Sequence, residues 1–133
     1  MTNSANETLI RDAYAAYAGG EIDKLLDLVD PNLEWTYLDP GLADPVPQTC
    51  HGRGELAAAL RRQAENGLTS RLEEVRASGV QVLVVSHTPG IDAYRVTPAD
   101  DRSYDVFTVR QGRIVAIHAY RQRADARAAI GIA

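Results

Sequence analysis

Residues 104–120 read YDVFTVRQGRIVAIHAY, two runs of strand-forming residues joined by Gln111-Gly112. Val, Ile, Phe, Tyr and Thr suit a pleated, half-buried surface, and a glycine supplies the positive φ that a two-residue hairpin turn needs. The pattern predicts an antiparallel hairpin of Tyr104–Arg110 with Arg113–Arg121. Alternation sets Asp105, Phe107 and Val109 on one face, with Tyr104, Val106 and Thr108 on the other. On the returning strand Ile117, Ala119 and Arg121 share a face, opposite Ile114, Ala116, His118 and Tyr120.

Upstream of the hairpin, Arg71–Ala77 and Val80–Thr88 are further strands by composition. Between them and the hairpin, 89–103 holds two prolines and a glycine, and reads as one short strand or none. The N-terminal half changes period. Ser4-Ala-Asn-Glu7 has capping-box spacing, and Leu9, Ile10, Ala13, Tyr14 and Tyr17 form a helical stripe ending at Gly19-Gly20. Ile22, Leu25, Leu26 and Val29 predict a second helix stopped by Asp30-Pro31, because proline disfavours helix in the residue before it. Leu33–Leu38 is a strand, and the stretch to Thr49, with Pro40, Pro45 and Pro47, is a loop. A third helix opens after Gly52, carries Leu56, Ala57, Leu60 and Ala64, and closes at Gly67; 124–130 can form a terminal helical turn. Helices first and a meander of strands after them predict an α+β fold with helices on one face of a curved antiparallel sheet.

The 133 residues are 45% hydrophobic and 24% charged, the balance of one globular domain spanning 1–133. Lys and Arg number 14 against 18 Asp and Glu, a net charge of −4, which argues against nucleic acid or an anionic membrane as partner. No apolar run reaches the ~18 residues of a membrane span, and MTNSANET lacks the basic-then-apolar pattern of a secretion signal. With Cys50 alone, no internal disulfide can form, and a cytoplasmic location is the expectation. His51, His87 and His118 have no paired ligand spacing, so no metal site is expected. Neighbours in sequence, Cys50 and His51 rarely meet as nucleophile and base. No phosphate-binding glycine fingerprint occurs.

Tyr14-Ala-Ala-Tyr17 with Gly20-Glu21-Ile22, LEWTYLDP (33–40), HGRGELAAAL (51–60) and the 104–120 hairpin follow one another in an order that resembles the nuclear-transport-factor-two-like superfamily. The resemblance is to its SnoaL-like and ketosteroid-isomerase-like branch, and it spans nearly the whole chain. It implies a cone: a bent sheet wrapped around three helices, enclosing an apolar cavity. It also implies a homodimer through the outer sheet face, with no cofactor or metal. Apolar residues on both faces of 113–121 point to the same covered outer face.

Carried over residue by residue, the ketosteroid isomerase pattern implies a tyrosine donor at Tyr14, a base at Asp39 and a neutral acid at Asp105. Tyr14 is matched with a one-residue deletion before Gly20; the ungapped match at the base position is Tyr37, and Asp39 takes it with a two-residue shift. Two further tyrosines of one branch fall on Val29 and Leu60, and an aromatic near the cavity mouth is Arg121 here. The catalytic aspartate of the hydrolase and cyclase branches falls on Ala119.

Each of these residues also has a plain structural reading. Asp105, an acid on an otherwise apolar strand face, is desolvated and so held protonated, or it is a structural acid bonded to backbone or to an arginine. Asp39, followed by Pro-Gly, is first of all a turn residue bonding its own backbone. Tyr14 is a core aromatic with its hydroxyl at a rim, or a donor inside the cavity. Trp35, Tyr37, Phe107 and Ile117 are the expected apolar wall, and Arg121 either reaches Asp105 or extends to the mouth.

Three functions fit these expectations. The first is acid/base proton transfer next to the carbonyl of an apolar, steroid- or polyketide-like compound. The second is a cavity-bearing ligand-binding or dimerisation module without turnover. The third is a polyketide cyclase or dehydratase.

Overall fold

Gln111 and Gly112 take φ of 52° and 74° in the computed structural model, both left-handed, as the two-residue hairpin requires. Residues 3–39, 41–44 and 46–132 are described; Pro40 and Pro45 of the expected loop lie outside them. Strand β5 (Arg102–Arg110) pairs antiparallel with β6 (Arg113–Tyr120), setting Asp105 opposite Ala119 and Phe107 opposite Ile117. Strand β3 (Arg71–Ser78) pairs with β4 (Gln81–His87), which pairs with β5 and puts Val84 on the other side of Asp105.

The remaining strands join on the far edge. β1 (Val29–Tyr37) lies beside β6, and β2 (Gln48–His51) beside β1, for an order of β2-β1-β6-β5-β4-β3. One pairing corrects the expected antiparallel sheet: β1 and β6 run parallel, so the sheet is mixed. No hairpin links these two strands, and nothing local in the sequence constrains their relative direction. Register shifts between Val29 and Glu34, Leu72 and Glu74, and Thr108 and Val109 interrupt the ladders, the kind of irregularity that bends and twists a sheet.

Helices α1 (Asn3–Ala18), α2 (Ile22–Leu26) and α3 (Gly52–Glu65) fill the concave side. The capping box does not form: Ser4 is inside α1, and the Glu7 carboxylate accepts instead from the Ala77 amide at 2.9 Å. Asn3 and Asn6 likewise bond Gly79, so the start of α1 clamps the β3–β4 turn. The second helix stops at Leu26, and Val29, expected on it, opens β1. Pro31 therefore sits in a strand, where its missing N–H falls in the unpaired stretch between Val29 and Glu34.

Ile10, Leu33, Val82, Val84, Val109 and Ile114 are sealed between helices and sheet. Ile114 was expected on the outer face; the shift after Thr108 returns it to the inner one, paired with Val109. On the outer face α4 (Arg123–Ala129) brings Ala126, with Ile130 just beyond its end, over Leu83 and Val106.

Candidate functional site

The concave side of the sheet and the three helices enclose a cavity of about 690 Å³, within the range of small-molecule sites. Tyr14, Trp35, Tyr37, Phe107, Ile117, Asp39, Asp105 and Arg121 all contribute to its lining. The expected site residues are thus brought to one space, from α1, β1, β5, β6 and the segments that follow β1 and β6.

Asp105 comes from the middle of the sheet, between Val84 and Ala119, two apolar neighbours that offer it no hydrogen. Among the described residues no group hydrogen-bonds its carboxyl, and what accessible surface it has opens into the cavity. Burial pushes its pKa up to about 7, against a weaker pull downward from the Arg95 charge. Close to neutrality, then, the group is shared between a hydrogen-bond donor and a carboxylate.

Tyr14 stands beside it. Its ring lies 6.3 Å from that of Phe107, and its hydroxyl meets the Ser86 side chain. Burial, and then the nearby Asp105 charge, hold the phenol well above the ordinary tyrosine range, with the Ser86 hydrogen bond pulling weakly the other way. The Tyr14 hydroxyl therefore keeps its proton near neutral pH. Tyr17, one turn on, spends its hydroxyl on the Leu68 carbonyl at 3.3 Å.

Asp39 has a different setting. It follows β1, half-buried, and its Oδ1 accepts the Gly41 amide at 2.9 Å, the turn contact that Asp-Pro-Gly suggested. One carboxylate oxygen is held by backbone while the residue still borders the cavity. Next to it, Tyr37 donates to Gln48 Oε1 at 3.0 Å and packs its ring 5.4 Å from that of Trp35. Arg121 turns to the rim and donates to the Leu42 carbonyl at 2.9 Å, with no bond to Asp105.

Two contributors escaped the sequence reading. Ser86 was hidden in a hydrophobic run, although alternation with Val82 and Val84 puts its hydroxyl on the cavity face. Arg95 lies in 89–103, which holds a short 3₁₀ helix (Ile91–Tyr94) and no strand before Arg102. The segment folds around Asp92, whose carboxylate accepts the Ala99 and Asp101 amides and pairs with Arg95 at 3.0 Å. Spacing gives no sign of this arrangement.

Among the described residues no cluster of His, Cys, Asp and Glu could hold a metal, and no helix is long and apolar enough to cross a membrane. The SnoaL-like domain family matches residues 10–117. No curated protein matches in sequence. In three dimensions the chain is similar to a nuclear-transport-factor-two-like protein of unknown function from Burkholderia pseudomallei, at 20% identity over 98% of this chain and 99% of that one, TM-score 0.66. It is similar to a provisionally named polyketide cyclase from Xanthomonas campestris pv. campestris, at 19% identity over 97% and 98% of the two chains, TM-score 0.63. A provisionally named ketosteroid isomerase from Kribbella flavida is 16% identical over 88% of this chain and 77% of that one, TM-score 0.61. At these identities the likeness concerns the fold alone.

Proposed function

The chain belongs to the SnoaL-like domain family, and from that premise we propose that it is an acid/base enzyme moving a proton next to the carbonyl of an apolar ring compound. One observation carries the proposal: Asp105, a carboxyl without a hydrogen-bond partner among the described residues, and the Tyr14 phenol border the same cavity, and burial raises the pKa of both. Two donors on one cavity wall suit an oxygen that gains charge as an enolate forms, because donors already in place stabilise the developing charge. Asp39 is the proposed base. It takes the proton next to the carbonyl and returns it elsewhere on the same molecule, so the reaction is a net isomerisation. Trp35, Tyr37, Phe107 and Ile117 supply the apolar wall.

The small Ala119 opposite Asp105 leaves the acid open to the cavity and supports this chemistry over that of a polyketide cyclase or dehydratase, for which the resemblance implies an aspartate at that place. The Gly41 contact of Asp39 favours a second reading, a binding module without turnover, because a turn acid needs no catalytic role. The proposal also includes a cytoplasmic homodimer. Since α4 already covers Leu83 and Val106, the dimer would use the outer-face area around Thr36, Thr108 and His118.

Deuterium exchange tests the proposal directly. Cyclic ketones incubated with the protein in D₂O are expected to exchange the hydrogens next to the carbonyl faster than in buffer. Binding of the same ketones, read by calorimetry, with no exchange above buffer would give the module reading precedence.

A further inference from the structure

The cavity has a charge balance opposite to that of the chain. The protein carries −4 overall, yet the charged residues bordering the cavity are four arginines (62, 95, 102 and 121) against Asp39 and Asp105. The acids that pair with Arg95 and Arg102, namely Asp92, Glu73 and Asp100, stand behind them and do not line the cavity. A cleft whose low-dielectric walls carry an excess of one sign of charge attracts ligands of the other sign.

Arg95 is the arginine best built for a contact. Its side chain is 14% exposed, and the guanidinium is fixed from behind by Asp92 Oδ1 at 3.0 Å and along the wall by Ser103 Oγ at 2.9 Å. Asp92 is itself locked by backbone amides of Ala99 and Asp101, so the whole support is rigid. Those two contacts use two of the five guanidinium hydrogens, and no other acceptor meets the rest among the described residues. A planar fork with spare donors on a cavity wall matches a carboxylate, which accepts two parallel hydrogen bonds.

We propose that Arg95 anchors a carboxylate of the cavity's ligand, so that the compound taken here is an apolar ring compound bearing an acid group. This rests on reading the cavity as a small-molecule site, and it concerns which molecule is held rather than whether a proton moves. The acid group sits against Arg95, the ring body against Phe107, Ile117 and Trp35, and Arg95 discriminates the acid from its neutral analogues.

Calorimetry with one-, two- and three-ring aromatic carboxylates, each against its primary amide, tests the proposal in the absence of any turnover. The acids are expected to bind about tenfold tighter than the amides. Arg95→Gln should reduce that preference below about twofold, while amide binding, retained, shows that the cavity is intact. Arg95→Lys, which keeps the charge and loses the fork, should fall between. Equal binding of acid and amide by the unaltered protein would overturn the proposal, as would an undiminished preference in Arg95→Gln, or no binding by any acid in the series. Absent proton exchange would sink the enzyme reading and leave this one standing; equal acid and amide affinity would do the reverse.

Discussion

Two aspartates border one cavity and are held in opposite ways. Asp105 sits in the middle of the sheet between Val84 and Ala119, where no neighbour among the described residues offers it a hydrogen, and its pKa rises to about 7. Asp39 sits past the end of β1, where the turn gives it the Gly41 amide. Position in the fold, more than residue type, decides which acid is left without a hydrogen-bond donor and which is given one. A central strand fixes both neighbours of a residue and limits its contact with water; a strand end leaves room for a backbone amide to donate.

The sharpest way to break this contrast is to remove Asp39. If it is the base, Asp39→Ala should lower the exchange rate about a hundredfold or more, with ligand affinity kept. Exchange at the unaltered rate would make Asp39 a turn residue only.

Next is the cost of ionising Asp105. Its folded pKa of about 7 exceeds the ordinary 3.8, so the native state binds the extra proton between those values. Stability is therefore fully present below about pH 4 and lost as the pH rises through 7, by on the order of 2 kcal/mol after allowance for cavity water. Asp105→Asn should flatten that fall and be the more stable protein at pH 8. Urea unfolding at pH 5 and pH 8 gives the comparison; equal slopes for both proteins would mean that Asp105 is solvated.

Asp105→Ala should cost at least about tenfold in exchange rate, equivalent to about 1.4 kcal/mol of barrier. A smaller loss than that of Tyr14→Phe would move the main donor role to the tyrosine. The mildest effect expected is optical: an apolar ring compound should perturb the emission of Trp35, the only tryptophan. Flat emission during calorimetrically proven binding would place the ligand away from the Trp35–Tyr37 wall.

The same contrast governs what could be read from sequence. The hairpin turn, the stripe of α1 and the face shared by Asp105 and Phe107 are local patterns, and each is found where alternation or helical spacing puts it. What escaped depends on distant partners. The parallel contact of β1 with β6 joins residues some eighty positions apart in sequence, and short β2 exists because β1 offers it an edge. One irregular step after Thr108 overturned the facing of Ile114, since a one-residue slip exchanges the faces of a strand. Arg95 was invisible because Asp92 and its backbone donors, not a strand pattern, order 89–103.

What matters most is that burial raises the Asp105 pKa far enough for a share of the acid to stay protonated near neutrality. Carboxyl-carbon NMR across pH 3 to 9, with Asp105→Asn to assign the signal, measures this without any assumption about substrate. The account predicts a midpoint for Asp105 above pH 6. A midpoint below pH 4 would show an ordinary ionised carboxylate, and the donor role, with the chemistry built on it, would fall.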